Sequence, residues 1–134
     1  MDIVTLRNDN LHAEVLPGVG GALARLDWIG HGKQTAVFRP CPIPPVSPSQ
    51  VACFAMLPWA NRMSPGGFEI GGRKVSIGAN RAGEPCPIHG EGWQNTWDIA
   101  FQSATELRLT LDRSPFNPYS YRAELHYSLI KTAL

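Results

Sequence analysis

The chain has 134 residues and a formal net charge of +1, which together exclude several classes of protein. A chain of this length supports one hydrophobic core, so we expect a single domain over residues 1–134. Because the basic residues form no stripe or cluster, the sequence predicts binding neither to nucleic acid nor to an anionic membrane surface. Thirteen glycines and twelve prolines lie between short apolar runs, which favours an all-β chain with many turns.

The cysteines and the N-terminus bear on the cellular compartment. Cys41, Cys53 and Cys86 form no Cys-x-x-Cys motif, and an odd number of cysteines suits neither a disulfide framework nor a four-ligand zinc site. No basic and apolar leader opens the sequence, and no apolar run reaches membrane-spanning length. We therefore expect a cytoplasmic protein that holds no metal.

Short β-type runs separated by turns fill the first forty residues. Residues 3–6 and 12–16 flank the turn-forming Asn8-Asp9-Asn10, which predicts a hairpin. Ala22–Trp28 has some helical propensity, but a run of this length is short for a helix, so we predict a strand there. A further run of the same kind follows at residues 34–38.

Five prolines lie within residues 39–50. They remove backbone donors and hold the chain in an extended or looped conformation. Such a segment could be a ligand for an SH3 domain or a linker between domains, but it is short and lies close to the N-terminus. We favour a long surface loop that borders a binding cleft.

Alternation of apolar and polar residues is clearest after residue 96. Trp97, Ile99 and Phe101 are predicted to share one face of a strand over residues 96–101. Two more strands are predicted over 105–112 and 121–129. Their inward residues are Leu107, Leu109 and Leu111 on the first, and Tyr121, Ala123, Leu125, Tyr127 and Leu129 on the second. An apolar sheet face needs a second layer to cover it, so we predict an antiparallel β-sandwich.

Residues 57–97 contain most of the side chains that could carry chemistry. They include Asn61-Arg62, a predicted hairpin over 68–77, His89-Gly90, Trp93 and Trp97. Sugars offer hydroxyl groups to polar side chains and C–H faces to aromatic rings, so this composition is typical of a sugar site. The hairpin should return the chain so that Asn61, Arg62 and His89 converge on one concave surface.

The same stretch resembles the aldose 1-epimerase, or galactose mutarotase, family. The resemblance is carried, in order, by Asn61-Arg62, residues 68–71, Asn80, His89-Gly90, Trp93 and Trp97. Residues 6–28 are similar to the family's first strands, so the likeness spans nearly the whole chain. Family members are longer, and we expect this chain to correspond to their N-terminal half.

The resemblance implies a galactose mutarotase-like β-sandwich that interconverts the α and β anomers of a hexose. That chemistry needs a base for the proton of the C1 hydroxyl and an acid for the ring oxygen, and it requires no cofactor. We assign catalysis to His89 and binding of a small sugar to Asn61, Arg62 and Trp93. The family's second His and its Glu base belong to the half not matched here. We therefore expect impaired turnover, and unpaired strands would favour self-association.

These residues also have purely structural interpretations. Arg62 could pair at the surface with Glu69 or Glu91. Trp97 could belong to the core, while Trp93 could be a platform on which a sugar stacks. Two other classes of function therefore stay open beside the epimerase. One is a non-catalytic carbohydrate-binding β-domain, and the other is a β-domain that acts only as an interaction partner.

Glu84 and Glu91 flank His89 in the sequence and could form a local acid/base pair with it. Glu91 lies two positions from His89, so the two would point the same way on a regular strand. The spacing is not diagnostic of catalysis.

Overall fold

The structure is a computed structural model that describes residues 2–42, 50–114 and 119–134. Over these ranges the regular structure consists of nine strands and short 3₁₀ turns, without an α-helix. The strands are β1 Val4–Arg7, β2 Leu11–Leu16, β3 Ala22–Trp28, β4 Thr35–Ala36, β5 Phe68–Ile70, β6 Arg73–Val75, β7 Asp98–Gln102, β8 Glu106–Arg113 and β9 Tyr121–Ser128. The all-β prediction is confirmed, and Ala22–Trp28 is a strand as predicted. Within the described ranges no helix has the length and apolar character needed to cross a membrane.

The strands form three antiparallel sheets, ordered β1-β2-β3-β4, β5-β6 and β7-β8-β9. The predicted hairpin between β1 and β2 is confirmed. In its turn, Oδ1 of Asn8 accepts hydrogen bonds from the backbone N–H groups of Asn10 and Leu11, at 2.9 and 2.8 Å. These bonds satisfy turn donors that the sheet leaves unpaired. The predicted loop over 39–50 falls largely on residues 43–49, which lie outside the described residues.

The apolar faces of the first and third sheets share one hydrophobic core. Along β8, buried Leu107, Leu109 and Leu111 alternate with exposed or half-buried residues, as the period of a strand requires. The core consists of Val4, Leu6, Leu11, Ala13, Val15, Leu23, Leu26, Trp97, Leu107, Leu109, Leu111 and Leu129. The predicted inward residues Tyr121, Ala123, Leu125 and Tyr127 pack against it. The two layers form the predicted antiparallel β-sandwich.

Gly21 shows how closely the two sheets approach each other. A Cβ at this position would lie 2.9 Å from Cδ1 of Leu125 and 3.1 Å from Cδ1 of Leu109. The hydroxyl of Tyr127 donates to the carbonyl of Gly21 at 2.8 Å, across the same gap. An alanine at Gly21 would therefore crowd the ends of these two leucine side chains, and its φ of 64° is also unfavourable for a residue with a Cβ.

Strand β7 departs from the predicted pattern because it contains a β-bulge. Ile99 pairs with Leu109, but the shift in register makes Phe101 pair with Arg108. One extra residue reverses the face on which the following side chains lie. Phe101 is therefore on the outer face, where the Arg108 guanidinium lies 5.0 Å from its ring centroid. The prediction that Phe101 shares a face with Trp97 and Ile99 is wrong, although Trp97 is buried.

Candidate functional site

Two predicted site residues, Asn61 and His89, are in direct contact. The backbone N–H of His89 donates to the carbonyl of Asn61 at 2.9 Å. In return, the backbone N–H of Asn61 donates to Nδ1 of His89, also at 2.9 Å. The next residue, Arg62, forms an antiparallel bridge with Ile88. The structure thus brings Asn61, Arg62 and His89 to one place from two distant parts of the chain.

The hydrogen bond from Asn61 sets the tautomer of the His89 imidazole. Because Nδ1 accepts from a backbone N–H, it carries no proton in this arrangement, and the proton of the neutral ring is on Nε2. His89 is half-buried, so part of the residue is accessible to solvent. Its Nε2–H is a hydrogen-bond donor that a ligand oxygen can use.

His89 and Gly90 both adopt left-handed backbone conformations, with φ of 62° and 63°. A non-glycine residue is uncommon in this region because its Cβ crowds the following carbonyl. A Cβ on Gly90 would lie 1.9 Å from the carbonyl oxygen of Leu57. That oxygen accepts hydrogen bonds from the N–H groups of Glu91 and Gly92, both at 3.1 Å. Glycine at position 90 allows this close approach, which fixes where His89 is presented.

Trp93 supports His89 from the interior. Its side chain is buried, and its ring centroid lies 6.4 Å from that of His89 in an edge-to-face arrangement. Phe54 contacts both rings, at 5.9 Å from His89 and 5.7 Å from Trp93. The indole N–H of Trp93 donates to the carbonyl of Gly90 at 3.0 Å. Trp97, the residue expected in the core, is buried as well. The predicted contact of Trp93 with a sugar stays a prediction.

Arg62 forms an ion pair with Glu84. Its Nε and Nη2 lie 2.8 and 2.6 Å from Oε2 of that carboxylate. The hydrogen bond from Arg62 lowers the pKa of Glu84, and the same bond raises the pKa of Arg62. The alternative that Arg62 pairs with Glu69 or Glu91 is wrong. Since the Arg62 side chain is 53% exposed, its guanidinium can still donate to a ligand.

Glu91 is bonded to the third sheet through Tyr121 and Arg113, and its carboxylate also accepts a hydrogen bond from Asn95. The hydroxyl of Tyr121 lies 2.5 Å from Oε1, Nε of Arg113 lies 3.3 Å from the same oxygen, and the Asn95 amide bonds to Oε2. Burial raises the pKa of Tyr121, and the bond to Glu91 raises it further, so the hydroxyl keeps the proton that it donates. Glu91 therefore connects residues 88–92, here called the His89 loop, to the start of β9.

One pocket in the described part of the chain lies away from these residues. It has a volume of about 490 Å³ and is lined by Thr110, Leu111, Asp112, Arg122, Ala123 and Glu124. These residues belong to β8 and β9, and the set includes none of the predicted site residues. In the part of the chain that the structure describes, no three His, Cys, Asp or Glu side chains are grouped to hold a metal ion.

Sequence reasoning missed the contacts that surround Arg62 and His89. The Arg62–Glu84 and Glu91–Tyr121 pairs join residues more than 20 positions apart, which no local spacing rule covers. One signal could have found them. Glu84 and Glu91 lie in a stretch rich in apolar residues and glycine, and a carboxylate there needs a donor to offset its desolvation.

Comparison with known proteins shows the family. The aldose 1-epimerase family model matches residues 2–134, so the chain belongs to the aldose 1-epimerase family. The uncharacterized protein YphB of Escherichia coli K12 is 28% identical over 86 residues, which make up 64% of this chain and 29% of YphB.

Solved structures agree with this family. The crystal structure of an aldose 1-epimerase candidate from Escherichia coli K12 matches with a TM-score of 0.83 and 26% identity, covering 96% of this chain and 42% of that one. A GalM/aldose epimerase homologue from C. elegans matches with a TM-score of 0.77 and 16% identity, again over 96% of this chain and 42% of its own. The latter likeness shows the fold alone. The chain thus spans about two fifths of the length of these proteins. The predicted family and its galactose mutarotase-like fold are confirmed.

Proposed function

We propose that this protein takes part in interconverting the α and β anomers of an aldohexose by ring opening. In this proposal the sugar binds beside His89 and Arg62. The observation that carries it is the hydrogen bond from Asn61 to Nδ1 of His89, which leaves Nε2–H as the donor on a half-buried ring. Membership in the aldose 1-epimerase family supports the reaction class.

His89 is suited to the acid role in ring opening. The Nε2 proton passes to the ring oxygen as the bond from C1 to that oxygen breaks, and the bonding pair stays on the oxygen. At the same time a base removes the proton of the C1 hydroxyl, and C1 becomes an aldehyde carbon. Rotation about the bond between C1 and C2, followed by closure on the other face, gives the second anomer. Arg62 would bind a sugar hydroxyl through its remaining guanidinium donors.

The base is the part of this chemistry that the described residues around His89 do not supply. Glu84 is paired with Arg62, and Glu91 is bonded to Tyr121 and Arg113. Loss of a positioned general base lowers rates by roughly a hundred- to ten-thousand-fold. We therefore expect the 134-residue chain alone to bind sugar and to accelerate mutarotation weakly.

A non-catalytic carbohydrate-binding domain is the second candidate function. The same pairings favour it, because Arg62 and His89 can bind a sugar without a free carboxylate to remove a proton. The fold and the binding residues would be the same for both candidates. The rate of anomer exchange distinguishes them.

Polarimetry on fresh α-glucose and α-galactose, together with a sugar titration followed by NMR, tests both candidates. We expect saturable binding and a small acceleration, and both should be lost in His89→Ala. The matched control is His126→Ala, since His126 lies exposed on β9 and bonds to Glu106 at 2.7 Å. Saturable binding without acceleration supports the binding domain. Absence of binding to either sugar contradicts both candidates.

A further inference from the structure

The side chain of Asn80 is bonded to the backbone on both sides of His89. Its Nδ2 donates to the carbonyl of Ile88 at 2.9 Å and to the carbonyl of Gly90 at 2.6 Å. Its Oδ1 accepts from the N–H of Ile88 at 2.8 Å. One amide group therefore fixes the peptide before His89 and the carbonyl that follows it.

The His89 loop needs such support because no regular sheet holds it. The pairings at Leu57–Gly90 and Arg62–Ile88 are isolated bridges outside the named strands. His89 and Gly90 are both left-handed, a conformation that persists where the surroundings determine it. The hydrogen bonds of Asn80 supply part of that determination.

An asparagine is the residue type that suits this position. The amide offers two donor hydrogens and a carbonyl acceptor at one end, which matches two carbonyls and one N–H. Gln94 braces it from the other side by donating to the backbone carbonyl of Asn80 at 2.6 Å. Its Oε1 lies 3.3 Å from Nδ2, so it shares one of the two donor hydrogens. An aspartate would place an oxygen against two carbonyl oxygens, and an alanine would leave all three groups without this partner.

We propose that Asn80 is a positioning residue of the candidate site. It holds the backbone around His89 so that Nδ1 meets the N–H of Asn61 and the protonated Nε2 stays available to a ligand. The step from imidazole geometry to sugar affinity rests on the proposed function. The effect of Asn80 on the imidazole geometry does not depend on the proposed function.

The test compares Asn80→Ala with Asn8→Ala in the full chain. Asn8 is a matched control because its side chain also makes three bonds to backbone groups: two from the N–H groups of Asn10 and Leu11, and one to the carbonyl of Lys131. Two of these bonds lie within the β1–β2 turn and the third joins that turn to Lys131, so none of them involves the residues around His89. The readout is the pair of imidazole ¹⁵N signals of His89, which report the tautomer.

In the unaltered protein we expect the signals of a fixed Nε2–H tautomer. In Asn80→Ala they should move toward an average of two tautomers, and sugar affinity should fall by tenfold or more. In Asn8→Ala the imidazole signals and the affinity should stay unchanged. An Asn80→Ala protein that keeps the fixed tautomer would overturn the inference, because Asn80 would then be only a structural residue.

Asn80→Asp keeps the size of the side chain and the acceptor for the N–H of Ile88, but it removes the donors to the two carbonyls. It therefore distinguishes the effect of side-chain size from the effect of the donated hydrogen bonds. We expect it to resemble Asn80→Ala in the imidazole signals. Signals identical to those of the unaltered protein would overturn the inference. If the unaltered protein shows the fixed tautomer but binds no sugar, the proposed function fails while the imidazole comparison still decides the role of Asn80.

Discussion

The third sheet and the His89 loop are stabilised in different ways. β8 and β9 pair in continuous register from Glu106–Ser128 to Arg113–Tyr121. The His89 loop pairs with residues 57–62 through isolated bridges, and side chains such as Asn80 complete its hydrogen bonds. In the sheet the stabilisation is spread over many backbone bonds and a buried face. In the loop it depends on a few atoms.

This difference separates global stability from site geometry. A substitution in the buried face should lower the stability of the whole sandwich, because both sheets share that core. A substitution in the loop should change the geometry of His89 and leave most of the core intact, since local openings involve the segments with few buried contacts.

The largest effect is expected from Leu109→Ala, which should destabilise the core that the first and third sheets share. Leu109 is fully buried between the two layers. Truncation of such a leucine costs about 2–5 kcal/mol in unfolding free energy. Urea denaturation checks this, with Arg108→Ala as control because Arg108 lies on the outer face of the same strand. Equal losses in the two variants would contradict the shared core.

Gly90→Ala should disrupt the geometry of the His89 loop. Its left-handed backbone costs an L-residue about 1–2 kcal/mol, and the new Cβ would lie 1.9 Å from the Leu57 carbonyl oxygen. The hydrogen bond between Asn61 and His89 should be lost, as seen in the His89 imidazole signals. Gly72→Ala is the control, because Gly72 has φ of 71° but nothing within 4 Å of a Cβ. If both alanine variants keep the same His89 signals, the close approach is not what positions the loop.

Asp27 lies in the regular first sheet, but like the His89 loop it depends on a few side-chain hydrogen bonds, because it is polar and buried. Burial opposes its ionisation, but hydrogen bonds from Gln34 and Arg25, both at 2.5 Å, outweigh burial and lower the pKa of Asp27. The stabilisation is fully present above the unfolded-state pKa of about 4 and is lost as pH falls through the lower folded-state pKa.

Asp27→Asn should therefore lower the unfolding free energy near neutral pH by about 1.5 kcal/mol, the scale of a hydrogen bond to a charged group. The difference should shrink as the pH falls below about 4. Urea denaturation between neutral pH and about pH 2 measures it. Asp112→Asn, whose carboxylate is 52% exposed in the parent chain, should show little effect. A constant difference at every pH would refute the role of the Asp27 charge.

The smallest effect is expected from Asn61→Gly. Both bonds between Asn61 and His89 use backbone groups of Asn61, so they survive the substitution. The side chain contributes a bond from the N–H of Arg62 at 2.9 Å, but φ of 65° favours glycine. We expect a change below about 1 kcal/mol and unchanged His89 signals. Altered signals would mean that the Asn61 side chain, and not its backbone, positions the imidazole.

The sheets could be predicted where one local rule decided the outcome. Leu107, Leu109 and Leu111 alternate with polar residues, and burial follows that alternation. Phe101 was assigned to the wrong face because a bulge reverses the faces of the residues that follow it, and the composition of the strand does not reveal a bulge. The approach of Asn61 to His89 was expected because a hairpin over 68–77 returns the chain. The bonds of Asn80 to Ile88 and Gly90 depend on how the chain returns, which no periodicity in the sequence encodes.

The hydrogen bond between Tyr127 and Gly21 joins residues 106 positions apart, and that separation bears on how the chain folds during synthesis. β1, β2 and β3 can pair within microseconds once they leave the ribosome. Their core partners on β8 begin at Glu106, nearly eighty residues later. At about 5–20 residues per second, the interval lasts roughly 4–16 s. Throughout that interval the nascent first sheet exposes Leu6 and Val15 to water. The rate of translation therefore determines how long these apolar residues are available for aggregation.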